Sequence, residues 1–378
     1  MTRTRPRAIL GLLVAMLLVL SACADDTQDA AQDATSTVAD TAAETTDTSA
    51  PTDTEATEDT EAPDETEGTE AGEVSGTVEF YTSQPDADYE ALISGFNELY
   101  PDVTVNVFRS GTEEVMSRLL AENEAGAIQA DVLLVADEVN LLTLKEMGLL
   151  ASYESPEHAA IPSEFVDEDF TFTGTKLIDT AMVINTNLVE ETPTSWWDLV
   201  ENADSAVMPS PQYSGAAAYN MQVLTRQPDI GWEFYEQLAA NGMTVVQGNG
   251  GVLEGVATGQ YTHGMVVSFI VARAAADGSP VEVVYPEEGV LGITEPVAIL
   301  EGAQNRAAAE ALVDYILSEA GQQLAVELGY TPLREGVEPP AGLPTVDELD
   351  LIQPDDLGEL IETREDEVRR FIELFGEG

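Results

Sequence analysis

From residue 76 onward two periodicities alternate along the chain, and that alternation constrains the fold more than any other feature. Residues 76–83 (Gly-Thr-Val-Glu-Phe-Tyr-Thr-Ser) read as an alternating strand. Tyr89, Leu92, Ile93, Phe96, Leu99 and Tyr100 then recur at helical spacing until Pro101, which cannot continue a helix. Residues 103–108 alternate again, Ser110-Gly111-Thr112-Glu113 reads as a helix start, and Met116, Leu119 and Leu120 form its apolar face. Residues 130–135 make a buried-type strand ending at Asp137, followed by helical Leu141, Leu142, Leu144 and Leu149. Such βα units imply an α/β fold with a mainly parallel sheet covered on both faces.

A β-rich stretch at 176–187 begins what reads as a second lobe, with a matching return at 292–300. Between them the pattern predicts a tryptophan-bearing helix (195–201), strands at 206–208 and 244–247, helices from 216 and over 231–241, and a helix opened by Asn249-Gly250-Gly251. Residues 263–267 and 281–285 read as strands, and 307–328 and 359–375 as amphipathic helices. No internal repeat is present.

The N-terminal residues carry a different signal. Arg3, Arg5 and Arg7 precede an apolar run over 8–20 that closes on Leu20-Ser21-Ala22-Cys23, the layout of a secretory signal ending in a lipobox. Cys23 is the expected lipidation site, and the domain, having no other cysteine, is expected to fold without disulfides. Residues 24–75 hold no Lys or Arg and almost no large apolar side chain, the composition of a disordered acidic linker. The organisation read here is a signal peptide (1–23), linker (24–75), lobe 1 (76–180), lobe 2 (181–292), and a return crossing with C-terminal helices (293–378). The location expected is the cell envelope, extracytoplasmic, lipid-anchored to the membrane, whether periplasmic or on the outer face of the cell membrane.

With 71 acidic against 14 basic residues the chain carries a formal charge of −57, which argues against a nucleic-acid partner. An anionic ligand would be repelled at long range unless salt screens the field or the site compensates locally.

Four stretches then carry a resemblance: Pro209-Ser210-Pro211 followed by Ser214-Gly215-Ala216; Val245-Val246-Gln247-Gly248-Asn249-Gly250; Val283-Val284-Tyr285-Pro286-Glu287-Glu288-Gly289; and Glu295-Pro296-Val297-Ala298-Ile299. Together they resemble the type 2 extracytoplasmic solute-binding proteins of ABC importers, in the group of ferric-iron binding proteins and their phosphorylated-sugar and phosphonate-binding relatives, over nearly all of residues 76–375. The resemblance implies a two-lobed Venus-flytrap (type II periplasmic binding protein) fold with hinge strands between the lobes. It also implies a small ligand in the cleft, with permease and ATPase subunits as partners on separate chains; a monomer without cofactor is expected.

In open α/β sheets ligands sit beyond the carboxyl ends of strands, where helix N-termini present free amides that favour anions. On this logic the candidate ligand-binding residues are Thr82, Ser83, Gly111, Thr112, Asp137, Ser214, Gly215, Asn249, Ser268 and Glu295. Each hydroxyl or amide has an ordinary alternative as a helix cap, and Asp137 and Glu295 as a cap and a hinge residue. The glycines would let backbone amides approach a phosphate or carboxylate closely. Iron-binding relatives use adjacent tyrosines after the corresponding strand, where this chain has Val267-Ser268-Phe269-Ile270. Ferric binding would therefore need Asp137, Glu295 or a bound anion, because the hard ion prefers anionic oxygen donors.

His158 and His263 form no metal-ligand spacing. No Gly-x-Ser-x-Gly elbow or phosphate-cradling Gly-Lys-Ser/Thr loop appears, and no assembled nucleophile site argues for an enzyme. The function expected is capture of a small, phosphorylated or phosphonate-like anion for an importer. The alternatives are a ferric-iron binding protein and a surface ligand-sensor lipoprotein.

Overall fold

The computed structural model describes residues 74–376 except 341–342, 346–347 and 355; the signal, Cys23 and the linker up to residue 73 lie outside the described residues. The first lobe opens with β1 (Gly76–Thr82), α1 (Asp86–Leu99), β2 (Val103–Arg109), α2 (Thr112–Glu124), β3 (Val132–Leu134), α3 (Glu138–Glu146) and β4 (Leu150–Ala151). β5 (Thr173–Asn185) crosses into the second lobe, built from α4 (Asp198–Glu201), β6 (Ala206–Pro209), α5 (Gly215–Arg226), α6 (Gly231–Ala240), β7 (Thr244–Val246), α7 (Asn249–Ala257), β8 (His263–Val267), α8 (Ser268–Ala276) and β9 (Val281–Val284). β10 (Val290–Leu300) returns, and α9 (Arg306–Leu317), α10 (Glu319–Glu327), β11 (Thr331–Pro332), β12 (Leu351–Ile352) and α11 (Leu357–Phe375) complete the chain.

The strands follow the order β2-β1-β3-β10-β5-β8-β6-β7. Within each lobe the βα units pair in parallel, β1 with β2 and β3, and β6 with β7 and β8. The two crossing strands join these units antiparallel, β10 to β3 and β5, and β5 to β8, so the α/β sheet is mixed overall. The first half of β5 pairs with β10 and its second half with β8 and β9, which makes this pair the connection between lobes.

Strand alternation distributes the first lobe's core over two faces. Phe80, Val132 and Leu134 pack with Leu92 and Phe96 of α1 and with Leu312 and Ile316 of α9. Tyr81, Leu133 and Val135 face the other way, against Val115 and Leu119 of α2 and Leu141 and Leu144 of α3. Each fully buried side chain of this size contributes roughly 1.5–3 kcal/mol. The second lobe gathers Val183, Val207 and Met265 around Trp196, Phe234 and Leu238, and Leu360 and Phe371 of α11 belong to the same core.

Two expected elements differ. The run 307–328 is two helices, because Ser318 leaves the helix at φ −64, ψ 164 and its side chain caps α10 by accepting from Gly321 N. The tryptophan helix shrinks to α4, where Asp198 instead takes the amides of Thr194 and Ser195.

Candidate functional site

A cleft of about 620 Å³ opens where the strands of both lobes end. Ser83 follows β1, Gly111 follows β2, Ala136 follows β3, Ser214 follows β6, and Gly248 and Asn249 follow β7; all of them line it. This is where parallel strands deliver helix N-termini. The residues preceding α1, α2, α5, α7 and α8 (Pro85, Gly111, Ser214, Gly248 and Val267) all face the cleft. Only Ser214 caps its helix with a side chain, accepting from Ala217 N at 3.3 Å; the other four helices open without one. Apart from Glu113 N, which donates to Tyr213 O at 3.3 Å, the first amides and the dipoles of these helices are left to the cleft.

Asn249 ties three of these starts together. Its Nδ2 donates to Ser214 Oγ at 3.2 Å and its Oδ1 accepts from Val267 N at 3.2 Å.

Glu295 stands in the cleft because of an irregularity in the crossing pair. The register of β10 on β5 shifts between Thr294 and Pro296, where proline has no N–H to give the ladder. Thr175 Oγ1 secures the Glu295 carbonyl at 2.6 Å. The carboxylate forms a close ion pair with Lys176 and accepts from Gln84 Nε2 at 3.2 Å, with Lys176 only 4% exposed.

Of the ten candidates, the structure brings Ser83, Gly111, Thr112, Ser214, Asn249 and Glu295 to the cleft. The other four are committed elsewhere. Thr82 is fully buried, donating to Leu134 O at 2.9 Å and accepting from Gln84 N. Ser268 turns to Asp179 Oδ1 at 2.7 Å. Gly215 faces Thr112 and the Ala136 carbonyl. Asp137 caps α3 from a left-handed backbone (φ 63) and accepts from Arg364 Nη2 at 2.7 Å. Burial pushes the Asp137 carboxyl up to about 6, although Arg364 pulls the other way. Gly111 also has a tighter role than amide access, for a Cβ there would lie 2.5 Å from the Tyr213 carbonyl across the cleft.

Sequence reasoning missed the cations. Arg109 and Arg273 line the cleft with side chains 34% and 31% exposed, and Lys176 lies beside it. Arg109 Nε donates to Gln84 O at 2.9 Å, with Asp86 at 3.8 Å. Arg273 stacks over Phe269 and Tyr330 at 4.8 and 5.1 Å from the ring centres. The phenols Tyr213 and Tyr330 line the cleft too. An isolated arginine carries no periodic signal, so only the observation that an anion would need local compensation pointed toward them. His158 bonds Thr173 Oγ1 and stacks on Phe170, and His263 bonds Thr262; neither lines the cleft. Among the described residues no group of three His, Cys, Asp or Glu side chains is placed to hold a metal ion, and no helix is long and apolar enough to cross a membrane.

A family model described as bacterial extracellular solute-binding protein matches residues 79–331. An uncharacterised protein of Haemophilus influenzae is 25% identical over 272 residues, 68% of this chain and 78% of that protein. Among solved structures, the periplasmic binding protein AfuA from Actinobacillus pleuropneumoniae with fructose 6-phosphate bound has a TM-score of 0.74 and 22% identity, covering 80% of this chain and 99% of AfuA. Iron-bound HitA from Pseudomonas aeruginosa has a TM-score of 0.68 and 20% identity, covering 78% of this chain and 99% of HitA. With its two-lobed α/β fold and a cleft at the strand ends, the chain belongs to the bacterial extracellular solute-binding proteins.

Proposed function

We propose that the protein captures a small organic anion, of the phosphorylated or phosphonate class, and delivers it to the permease and ATPase of an importer. The observation that carries this reading is the convergence on one cleft of four helix N-termini without side-chain caps and of Arg109, whose guanidinium has no close carboxylate. Free amides and dipoles favour an anion, and an arginine fork matches its oxygens. In a chain of net charge −57 Arg109 offsets part of the long-range repulsion where the ligand binds. Glu295, backed by Lys176 and Gln84, is suited to accept from ligand hydroxyls.

A ferric ion suits the cleft less well. Asp137 is turned away to Arg364, Glu295 is paired with Lys176, and Tyr330 donates to Asp88. The lining leaves the hard ion Asp277 and the Tyr213 phenol, and among the described residues no group of three His, Cys, Asp or Glu side chains is placed to hold it.

The test is a thermal-unfolding screen of the full chain against hexose phosphates, phosphonates, inorganic phosphate and ferric citrate. A ligand that binds only the folded state adds about 2.7 kcal/mol at a hundredfold excess over its Kd. Stabilisation by organic phosphates or phosphonates supports the reading; stabilisation by ferric citrate alone overturns it. Extracytoplasmic, lipid-anchored placement rests on Cys23, and labelled fatty acid incorporated by the parent and lost in Cys23→Ser tests it.

A further inference from the structure

Two arginines reach from the second lobe to carboxylates of the first, Arg273 to buried Asp88 and Arg364 to buried Asp137 and half-buried Glu113. Arg273, on α8, donates from Nη1 to Asp88 Oδ1 at 2.9 Å and from Nη2 to Asp88 Oδ2 at 3.0 Å. Asp88 lies in the first turn of α1 with its side chain 0% exposed, and the Tyr330 hydroxyl donates to it as well. A parallel two-bond fork of this kind is the strong geometry for an arginine–carboxylate pair.

Arg364 repeats the arrangement elsewhere. Its helix, α11, packs against α3 of the first lobe but is bonded to the second: Leu360 and Phe371 lie in that core, Gln222 Nε2 donates to Leu360 O at 2.7 Å, and Arg226 bonds Glu367 and Thr363. From this base Arg364 Nη2 reaches Glu113 Oε1 at 2.8 Å and Asp137 Oδ2 at 2.7 Å, at the starts of α2 and α3 in the first lobe. Both pairs thus have the same polarity, cation from lobe 2 and carboxylate from lobe 1.

The lobes also touch directly. Glu113 N donates to Tyr213 O at 3.3 Å, and Gly111 and Gly215 admit their cross-lobe neighbours only because they have no Cβ.

We propose that Arg273 and Arg364 are positioning residues that hold the cleft closed in the absence of ligand, by pairing with Asp88 and with Asp137 and Glu113 across the lobes. Opening about the β5–β10 pair separates each guanidinium from its carboxylate, and the free protein remains mostly closed. Ligand binding then selects a geometry already populated. This holds for any ligand and is independent of the ligand's charge.

The test uses the full chain with Cys23→Ser and label cysteines at Leu99 and Leu188, which are 48% and 51% exposed and lie one in each lobe. Spin-label distances are measured by pulsed electron resonance without ligand. The labelled parent gives one narrow distance, and Arg273→Gln combined with Arg364→Gln raises a second, longer distance roughly tenfold in population. Asp88→Asn, which keeps the side-chain volume, raises the same longer distance to a smaller extent and decides the matter if the double variant lacks a cooperative melt. A parent already spread over both distances overturns the proposal, as does a cooperatively melting Asp88→Asn with the parent distribution.

Discussion

Gly215 and Thr112 come from different lobes, yet a Cβ built on the glycine would meet the threonine methyl carbon at 2.8 Å and the Ala136 carbonyl at 2.9 Å. Neither is the far end of a flexible chain, so even a methyl must push the lobes apart or strain the packing. Gly215→Ala is expected to cost about 1–3 kcal/mol, as overpacking does. Denaturant midpoints measure it, and a variant as stable as the parent would show that the contact yields freely.

Asn249 fixes the relative positions of three helix starts through Ser214 and Val267. Asn249→Ala should cost about 1 kcal/mol of stability. Ligand affinity should fall more steeply than stability, because the three helix starts it aligns all border the cleft. Calorimetric titration beside a thermal melt separates the two effects; equal losses would make the residue merely structural.

Arg109 has one backbone acceptor and a distant carboxylate, so it is the cleft cation with the weakest prior commitment. Arg109→Met should weaken binding of an organic phosphate at least roughly tenfold and flatten its dependence on salt. Titrations at two ionic strengths check this, and an unchanged salt slope would place the anion elsewhere.

Asp137 gives a pH signature of known sign. Its folded pKa is pushed from the ordinary 3.8 up to about 6, with burial the largest cause, so the folded state holds its proton more tightly than the unfolded chain. The contribution is full below about pH 4 and is lost as pH rises through about 6. Relative to Asp137→Asn, which does not titrate, the parent should lose on the order of 2–3 kcal/mol over that interval. Parallel stability curves for the two proteins would contradict the assignment.

Phe371 is 1% exposed, 5.9 Å from the Tyr235 ring and 4.4 Å from Phe375. Phe371→Ala should cost about 3–5 kcal/mol. Urea unfolding measures this, and a loss under 1 kcal/mol would mean that α11 contributes little to the second lobe.

How much of this was legible depended on the range of the signal. Elements whose evidence is local were read well: the residue range read for β8 is the one observed, and α1 ends just before Pro101. The loops after β1, β2, β6 and β7 were placed at the cleft by strand–helix alternation alone. Local evidence with two meanings was not resolved by the sequence. Thr82, Ser268 and Asp137 have the residue types of ligand contacts, but a carbonyl, a carboxylate and an arginine from distant segments had already claimed them. The cleft arginines failed for the opposite reason, since Arg273 and Asp88 are 185 positions apart and nothing near either marks the pair. The final helix was visible by its apolar stripe, but its partners were not.

That final helix also bears on the order in which the molecule assembles. Arg364 lies 227 positions after Asp137 and 251 after Glu113, and loop closure of that length precedes any gain from the contact. The first lobe's βα units are complete long before the guanidinium that neutralises their carboxylates has been synthesised. Until Arg364 joins them, Asp137 lacks its guanidinium partner, and burial without it favours the protonated carboxyl. Folding kinetics should accordingly show a late step sensitive to Arg364 and to pH near 6, in which a chain with most of its secondary structure in place acquires its cleft.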